Sequence, residues 1–186
     1  MIGFALCGSF CTIRRALGEL ELLSARYPVQ GIVSEAVYST DTRFSTAQAV
    51  RERIELLTGR PVIHDIVGAE PLGPTMPLEA LVICPCTGNT LAKMACGITD
   101  SAVTMAAKAH LRSNRPLVIA LASNDALSAN LKNIGTLLTR KHVYFVPMKQ
   151  DDPDKKPHSL VADFSLLGAT LEAALADKQY QKLFQT

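Results

Sequence analysis

Apolar runs alternate with amphipathic stretches along the whole chain. The first apolar run covers residues 2–6, and apolar residues then recur at helical spacing from Ile13 to Tyr27. A second apolar run, residues 29–33, follows directly after Pro28. The pattern predicts two strands with a helix between them. Because the connection from the helix to the second strand is short, the two strands should be parallel and joined by a right-handed crossover.

The same alternation continues to the end of the chain. Four further apolar runs are predicted to be strands: residues 61–64, 81–84, 117–122 and 143–146. Helical spacing predicts one helix that begins at Leu91 and others within residues 47–57, 102–109, 131–139 and 160–175. Together these elements predict a three-layer, doubly wound, Rossmann-like α/β fold with about six parallel strands. We expect a single domain over residues 1–186, in which residues 177–186 fray as a tail.

Small and polar residues follow two of the predicted strands. Gly8 and Ser9 come after the first strand, and Gly-Asn-Thr at residues 88–90 lies just before the helix that begins at Leu91. Ligands of open α/β sheets bind at the carboxyl ends of the strands, and helix N-termini attract anions. The predicted cofactor-binding residues at these two places are Gly8, Ser9, Thr12, Gly88, Asn89 and Thr90.

An ordinary helix cap is the alternative interpretation of residues 88–90, with Asn89 or Thr90 satisfying the first turn of the helix. The dinucleotide-binding pattern G-x-G-x-x-G is absent after the first strand. A mononucleotide phosphate is therefore the predicted ligand rather than a dinucleotide.

Arg43 is a candidate substrate-binding residue. A guanidinium group holds a carboxylate through two parallel hydrogen bonds, which suits a dicarboxylate substrate. The alternative is a surface arginine paired with Asp41 or Glu35. His64, at the end of a predicted strand, is either a catalytic base or a structural histidine.

Charge and cysteine content argue against several classes of protein. The formal net charge is +2, and the chain has no arginine-aromatic patch, so no nucleic-acid partner is expected. The apolar start is too short for a signal peptide or a membrane span, so we expect a cytoplasmic protein without membrane contact.

The five cysteines fit no metal-binding spacing, so no metal is expected. Cys7, Cys84 and Cys96 are predicted to be buried as small hydrophobic residues.

The segment from Pro85 to Arg112 carries the most specific signal in the chain. It reads PCTGNTLAKMACGITDSAVTMAAKAHLR, with a proline, small residues, Asn-Thr, Ala-Lys, Gly-Ile, Asp and then a helix of small residues. This arrangement resembles the signature of the flavoproteins known as the homo-oligomeric flavin-containing cysteine decarboxylases. The resemblance implies FMN as the cofactor and assembly into a homo-oligomer, a trimer or a multiple of it. The small-residue helix from Ala102 to Ala109 would suit close packing against a neighbouring element or subunit.

The loop after residues 117–122 bears on the chemistry that this family performs. Family members resemble one another here in a P-x-M-N-x-x-M-W loop whose asparagine lies near both flavin and substrate. Asn124 keeps that asparagine, which makes it the predicted catalytic residue and a further cofactor-binding residue. The other loop positions differ, with Leu121, Ser123, Leu127 and Ser128 in place of the proline, the methionines and the tryptophan. No histidine matches the active-site histidine of the decarboxylases, so we expect the scaffold to be kept and the decarboxylase pocket to be lost.

Further stretches resemble one component of a two-component oxidoreductase within that family. They are residues 40–44, 69–74, 123–127, 145–157 and 159–163. The resemblance implies an NAD(P)-binding partner subunit, a small dicarboxylate substrate that is oxidised to an aromatic ring, and a role in the mother cell of a sporulating bacterium. It makes Lys155 and Lys156 candidates for attracting the substrate or docking the partner. The alternatives are a non-catalytic subunit that has kept the flavin fold, and a flavin-dependent decarboxylase or prenyltransferase.

Overall fold

Seven strands and eight α-helices build the part of the chain that the computed structural model describes, residues 1–185. The strands are β1 (Ile2–Leu6), β2 (Val29–Val33), β3 (Ala80–Cys86), β4 (Leu117–Ser123), β5 (Val143–Phe145), β6 (Met148–Lys149) and β7 (Leu160–Ala162). The helices are α1 (Phe10–Ser24), α2 (Glu35–Ser39), α3 (Ala47–Thr58), α4 (Ile66–Ala69), α5 (Gly88–Ala95), α6 (Ala102–Leu111), α7 (Leu131–Leu138) and α8 (Leu167–Leu175). None of these helices is long and apolar enough to cross a membrane.

The sheet has a parallel centre and a short antiparallel extension. Strands β2, β1, β3, β4 and β5 lie side by side in that order, and all of their pairings are parallel. β7 pairs antiparallel with the carboxyl end of β4, and β6 pairs antiparallel with β7. The predicted doubly wound α/β fold is confirmed, with five parallel strands. Residues 61–64 make only an isolated bridge, between Ile63 and Ile32 of β2, because Pro61 has no backbone N–H to donate.

Helices cover both faces of the sheet, as the three-layer prediction requires. One face packs Ala5, Ile83 and Ile119 into a cluster with residues of α5, α6 and α7. The opposite face packs Phe4 and Val82 with residues of α1, α3 and α8. Every residue of β3 and β4 is buried, which is typical of central parallel strands and leaves only the strand ends open to ligands.

The small-residue face of α6 packs within the chain. Ala102, Ala106 and Ala109 are at most 5% exposed, and α6 lies against α4 and the 3₁₀ turn at Glu70–Leu72. The close packing expected of these alanines is therefore used inside the subunit, and they offer no surface to a neighbouring copy.

The end of the chain makes hydrogen bonds with the sheet. The backbone N–H of Met148 donates to Leu183 at 2.9 Å, and that of Gln185 donates to Met148 at 3.0 Å. The Gln179 side chain bonds both the N–H and the C=O of Phe145, at 2.9 and 2.7 Å. Unpaired backbone groups at the edge of the sheet supply these partners, which periodicity does not reveal. Fraying of residues 177–186 stays a prediction. Thr186 lies outside the described residues.

His110 is a fully buried histidine near the end of α6, and it should make the protein sensitive to acid. Its Nε2 lies 2.9 Å from the Pro116 carbonyl and must donate to it, while Nδ1 is buried without a partner among residues 1–185. Burial lowers the pKa of His110 below its ordinary value of 6.5. The unfolded chain therefore takes up this proton more readily, so the free energy of unfolding should be fully retained above pH 6.5 and fall as the pH drops below it.

A His110→Gln variant keeps an N–H donor for Pro116 and removes the titrating group. We expect its free energy of unfolding, measured by denaturant titration between about pH 8 and pH 5, to depend less on pH than that of the wild type. His158 is exposed, so His158→Gln is the matched control and should keep the wild-type dependence. Equal slopes for His110→Gln and the wild type would show that His110 is not the acid-sensitive group.

Candidate functional site

Two clefts open at the carboxyl edge of the sheet, one on each side of the loop that follows β1. The larger cleft, about 400 Å³, is lined by Gly8, Ser34, Glu35, Ala36, Thr87, Asn89, Thr90, Lys93 and Ser101. The smaller cleft, about 160 Å³, is lined by Ser9, Cys11, Thr12, Arg15, Ala122, Ser123, Asn124, Asp151, Lys156 and Val161. The predicted cofactor-binding residues other than Gly88 are thus divided between two neighbouring clefts at the edge where the sequence placed them.

The helix at the larger cleft begins earlier than predicted. α5 starts at Gly88 and not at Leu91, because Thr87 is its N-cap and accepts a hydrogen bond from the Thr90 N–H at 3.3 Å. The alternative of an ordinary helix cap is right in kind but wrong in its residue, because the cap is Thr87 rather than Asn89 or Thr90, and Gly88-Asn89-Thr90 forms the first turn of the helix. The N–H groups of a first turn have no partner within the helix, so Gly88 and Asn89 bring donors and partial positive charge to the cleft.

Thr90 joins the β3–α5 loop to the end of β1. Its hydroxyl accepts from Thr87 Oγ1 at 3.2 Å and donates to Cys7 Sγ at 3.3 Å. Thr90 is only 6% exposed, so its main contribution is to hold the two loops together beneath the cleft.

The cysteines near the site are mostly packing residues. Burial raises the pKa of Cys7 to about 11 and raises the pKa values of Cys84 and Cys86 well above their ordinary value. These thiols stay protonated at neutral pH, which rules them out as ready nucleophiles. Burial of Cys7 and Cys84 is confirmed, whereas Cys96 is exposed at the end of α5. Cys96 is the C-cap residue that follows α5 and not a residue of its buried face, so the prediction of its burial is wrong.

Ser34 is a residue of the larger cleft that the sequence reasoning missed. It follows β2 as the N-cap of α2, and its Oγ is buried without a hydrogen-bond partner among residues 1–185. An unpaired buried hydroxyl costs about 1–3 kcal/mol, so a ligand that accepts its proton would be favoured. Opposite it, a Cβ on Gly8 would lie 3.3 Å from Ala36 Cβ, which makes a side chain there a tight fit. The sequence contained the signal, because Ser34 follows the predicted strand at residues 29–33 much as Ser9 follows the predicted strand at residues 2–6.

The outer rim of the larger cleft is held by an ion pair. Lys93 Nζ lies 2.9 and 3.0 Å from the two carboxylate oxygens of Asp100, and this bond lowers the pKa of Asp100. Ser101, next in the chain, caps α6 through a reciprocal pair of hydrogen bonds with Thr104. The rim is therefore ordered by its own contacts and can keep its shape without a ligand.

Polar residues of α1 form one wall of the smaller cleft. Ser9, Thr12 and Arg15 are spaced by three residues and share one face of the helix. Thr12 Oγ1 donates to the Ser9 backbone oxygen at 2.8 Å and lies 3.0 Å from Ser9 Oγ. Ser9 caps α1 by position without a side-chain cap bond, so its hydroxyl proton can serve a ligand.

The β4–α7 loop, which carries Asn124, is fixed by a polar network. Asp125 accepts hydrogen bonds from Ser123 Oγ and from Asn130 Nδ2, the latter at 2.9 Å, and these bonds lower the pKa of Asp125. Asn130 in turn accepts from Asn133 Nδ2 at 2.8 Å. Asn124 itself is exposed at the smaller cleft. The network keeps the backbone in place, so the Asn124 amide is presented from a rigid loop.

Gly88 is the residue at which the β3–α5 loop contacts the β4–α7 loop. A Cβ at Gly88 would lie 2.5 Å from Ser123 Oγ, 2.6 Å from Asn130 Nδ2 and 2.8 Å from Asp125 Oδ1. The start of α5 therefore rests directly on the polar network of the β4–α7 loop, and only glycine allows this approach.

The predicted substrate-binding residues are not brought together. Lys156 lines the smaller cleft, with its Nζ 2.8 Å from Asp151 Oδ2. Arg43 lies outside both clefts with its guanidinium 4.8 Å from the Phe44 ring centre. Among residues 1–185 it makes no ion pair, and Asp41 instead accepts from the Ala47 N–H. Lys155 is exposed and also lies outside both clefts.

His64 is stacked on an aromatic ring away from both clefts. Its ring centre lies 3.8 Å from that of Tyr38, and the two planes are inclined by 16°. This stacking favours the structural interpretation of His64 over the catalytic one.

Comparison with known proteins agrees with this arrangement. The family model described as "Flavoprotein" matches residues 1–164. The B subunit of dipicolinate synthase from Bacillus subtilis (strain 168) is 46% identical over 183 residues, which cover 98% of this chain and 92% of the relative. The crystal structure of the corresponding B subunit from Bacillus halodurans superimposes with a TM-score of 0.91 at 42% identity, covering 100% of this chain and 95% of that one.

A more distant structure shares the fold alone. The FMN-dependent cysteine decarboxylase SpaF superimposes with a TM-score of 0.68 at 24% identity, covering 93% of this chain and 95% of the other. The family model spans the loops that line both clefts, and the similarity to the two Bacillus proteins extends over nearly the whole chain. The chain therefore belongs to the flavoprotein family, as a homologue of the B subunit of dipicolinate synthase.

Proposed function

We propose that this chain acts as the B subunit of a dipicolinate synthase. With an NAD(P)-binding A subunit, it would oxidise a dihydrodipicolinate-type intermediate to dipicolinate, which is pyridine-2,6-dicarboxylate, during sporulation. The observation that carries the proposal is the similarity to the Bacillus subtilis protein along nearly the full length of both chains. The aligned region spans the loops at the carboxyl edge of the sheet as well as the scaffold, and function resides in such loops.

FMN is the proposed cofactor, and its phosphate is proposed to bind in the larger cleft. Ser34 would donate its otherwise unpaired hydroxyl, and Gly8 would let the phosphate approach the backbone. The first turn of α5 at Gly88 and Asn89 would add N–H donors and the positive end of the helix dipole. Bound FMN supplies a two-electron acceptor for hydride.

The substrate ring is proposed to lie at the smaller cleft. Aromatising a dihydropyridine removes a hydride and a proton, so the work of the protein is to hold the ring and its carboxylates in one orientation. Asn124 would donate a hydrogen bond from the rigid β4–α7 loop, and Ser9 and Thr12 would bind from the start of α1. Lys156 also lines this cleft, where it pairs with Asp151, and would make a weaker contact with the substrate.

Arg43 and Lys155 are proposed to act at longer range. Both are exposed and lie outside the two clefts. Cations at such positions raise the rate at which an anionic substrate arrives and can also pair with acidic residues of a partner. Their replacement should therefore change association rates and salt dependence more than turnover at saturating substrate.

We also propose that the protein assembles into a homo-oligomer, a trimer or a multiple of it, in the cytoplasm of the mother cell. This proposal rests on membership of the flavoprotein family, since the alanine face of α6 is used within the subunit. Light scattering on the purified chain tests it, and a monomeric mass would rule it out.

The direct test of the proposed function is reconstitution of the two subunits. The chain is mixed with FMN, a dipicolinate synthase A subunit, a nicotinamide cofactor and a dihydrodipicolinate substrate freshly produced by the lysine-pathway enzymes, and dipicolinate is measured by chromatography. We expect product only when both subunits are present. If the A subunit alone forms as much dipicolinate as the two subunits together, this chain has no catalytic role.

A further inference from the structure

We infer that Arg15 is the principal carboxylate-binding residue of the smaller cleft. This inference rests on the proposed function, because it assigns a residue to the dicarboxylate substrate of that site. Arg15 was not among the residues that the sequence singled out, whereas Lys156 was. What distinguishes the two cations is whether each already has a carboxylate partner within the cleft.

Three charged side chains line the smaller cleft, namely Arg15, Asp151 and Lys156. Asp151 and Lys156 neutralise each other, with Nζ and Oδ2 2.8 Å apart, and the contact lowers the pKa of Asp151 and raises that of Lys156. Among residues 1–185, no carboxylate lies within 4.0 Å of the Arg15 guanidinium. The net positive charge of the cleft is therefore that of Arg15.

Arg15 is also held in position at the cleft wall. Its guanidinium carbon lies 5.0 Å from the centre of the Phe164 ring, in a cation–π contact. Phe164 is only 1% exposed and is fixed by the core. A guanidinium resting on a rigid ring loses less rotamer freedom when it binds a ligand, and its fork can hold a carboxylate through two hydrogen bonds.

The neighbours of Arg15 suit the rest of a planar dicarboxylate. Ser9 lies on the same side of the cleft and offers its hydroxyl proton, whereas Thr12 donates its own proton to Ser9 and so orients it. The Asn124 amide comes from the β4–α7 loop. Glu19, one turn further along α1, has its pKa raised chiefly by burial. The charge of Arg15 acts in the opposite direction and lowers the pKa of Glu19. Among residues 1–185, however, Glu19 makes no ion pair with Arg15 within 4.0 Å, so the hydrogen-bond donors of the guanidinium remain available to the substrate.

The first experiment measures binding of dipicolinate itself to the FMN-supplied chain by titration calorimetry. We expect Arg15→Gln to weaken dipicolinate binding by about tenfold or more, since a charge-assisted bidentate contact is lost. Arg15→Lys should fall between Arg15→Gln and the wild type, because it keeps the charge without the fork. 2,6-Bis(hydroxymethyl)pyridine, which has the same outline without the carboxylates, should bind the wild type and Arg15→Gln alike.

Arg14 provides the matched control. It is the adjacent residue of α1, is also exposed, and lies outside both clefts. Arg14→Gln makes the same change in net charge and should leave dipicolinate affinity within about twofold of the wild type. An equal loss in Arg14→Gln and Arg15→Gln would mean that overall charge governs affinity, and this would overturn the inference.

Cysteine labelling locates the bound ligand independently of affinity. Cys11 is exposed and lines the smaller cleft, whereas Cys96 is exposed and lies outside it. Dipicolinate should slow the reaction of N-ethylmaleimide with Cys11 and leave Cys96 unchanged, and Arg15→Gln should lose this protection at the same ligand concentration. Both positions can be read by mass spectrometry of one digest.

Failure of this inference can be told apart from failure of the proposed function. If wild type and A subunit form no dipicolinate while Arg15-dependent binding persists, the proposed reaction is wrong and the carboxylate site stands. If turnover is normal and Arg15→Gln binds dipicolinate like the wild type, the inference is wrong and the reaction stands. Absence of dipicolinate binding to the wild-type chain, alone and with the A subunit, also overturns the inference.

Discussion

A Gly88→Ala variant is expected to lose about 2–3 kcal/mol of unfolding free energy and much of its affinity for FMN. The added methyl group would lie within 2.8 Å of Ser123, Asn130 and Asp125 side-chain atoms. These atoms hydrogen-bond one another, so they cannot retreat without breaking the network that fixes the β4–α7 loop. Denaturant unfolding followed by circular dichroism measures the stability, and quenching of flavin fluorescence measures FMN binding.

Gly135→Ala is the control for the same chemical change. Gly135 lies within α7, and a Cβ there would meet no atom within 4 Å. This variant should gain about 0.5–1 kcal/mol, because alanine favours a helix over glycine. If Gly88→Ala stays within about 0.5 kcal/mol of the wild type, the two loops do not touch as described.

Replacing Asn124 and Asn89 together with alanine is expected to lower kcat/KM of the reconstituted complex by about 100-fold. Asn124 would lose its hydrogen bond to the substrate, and Asn89 would lose a polar group beside the FMN phosphate. Neither side chain is buried, so the free energy of unfolding should change little. Steady-state kinetics with saturating FMN and A subunit, together with an unfolding curve, separate the two effects.

Ser128→Ala is the control within the same loop. Ser128 is exposed and lines neither cleft, and among residues 1–185 its hydroxyl donates only to the Asp125 backbone oxygen, at 3.2 Å. Its kcat/KM should stay within about twofold of the wild type. Wild-type turnover by the double variant would favour a non-catalytic role for this chain, with the redox step left to the nicotinamide cofactor of the A subunit.

Periodicity predicted the parallel centre of the sheet and the helices that cover it. It wrongly assigned residues 160–162 to the last helix, because they form β7 of the antiparallel extension and α8 begins only at Leu167. Fully apolar runs such as those at β3 and β4 occur where both faces of a strand are buried, and the helical spacing of α1 follows from burial of one face. Because parallel strands end at one edge, Gly8 and Asn89 could be placed there without coordinates. The prediction of a strand at residues 61–64 is wrong, although the sequence carried the signal, because Pro61 has no N–H to donate to a ladder.

Contacts between distant segments could not be read from the sequence. Thr87 as the cap of α5 depends on β3 extending to Cys86, two residues beyond its most apolar part. The importance of Arg15 depends on the ion pair between Asp151 and Lys156 within the β6–β7 loop, and on Phe164 from the far end of the chain. The tail is held by Gln179 through one side-chain amide. Each of these depends on tertiary geometry that local pattern does not encode.

The measurement that tests the central claim most directly is the visible absorption spectrum of the purified chain. The spectrum is recorded after FMN is added and free FMN is removed, with and without the A subunit. We predict a retained flavin band, because the larger cleft offers an unpaired Ser34 hydroxyl and the first turn of α5 to a phosphate. A chain that keeps no flavin, even with the A subunit present, would contradict the proposed FMN site. This chain would then be a non-catalytic subunit, and the oxidation would use only the nicotinamide cofactor of the A subunit.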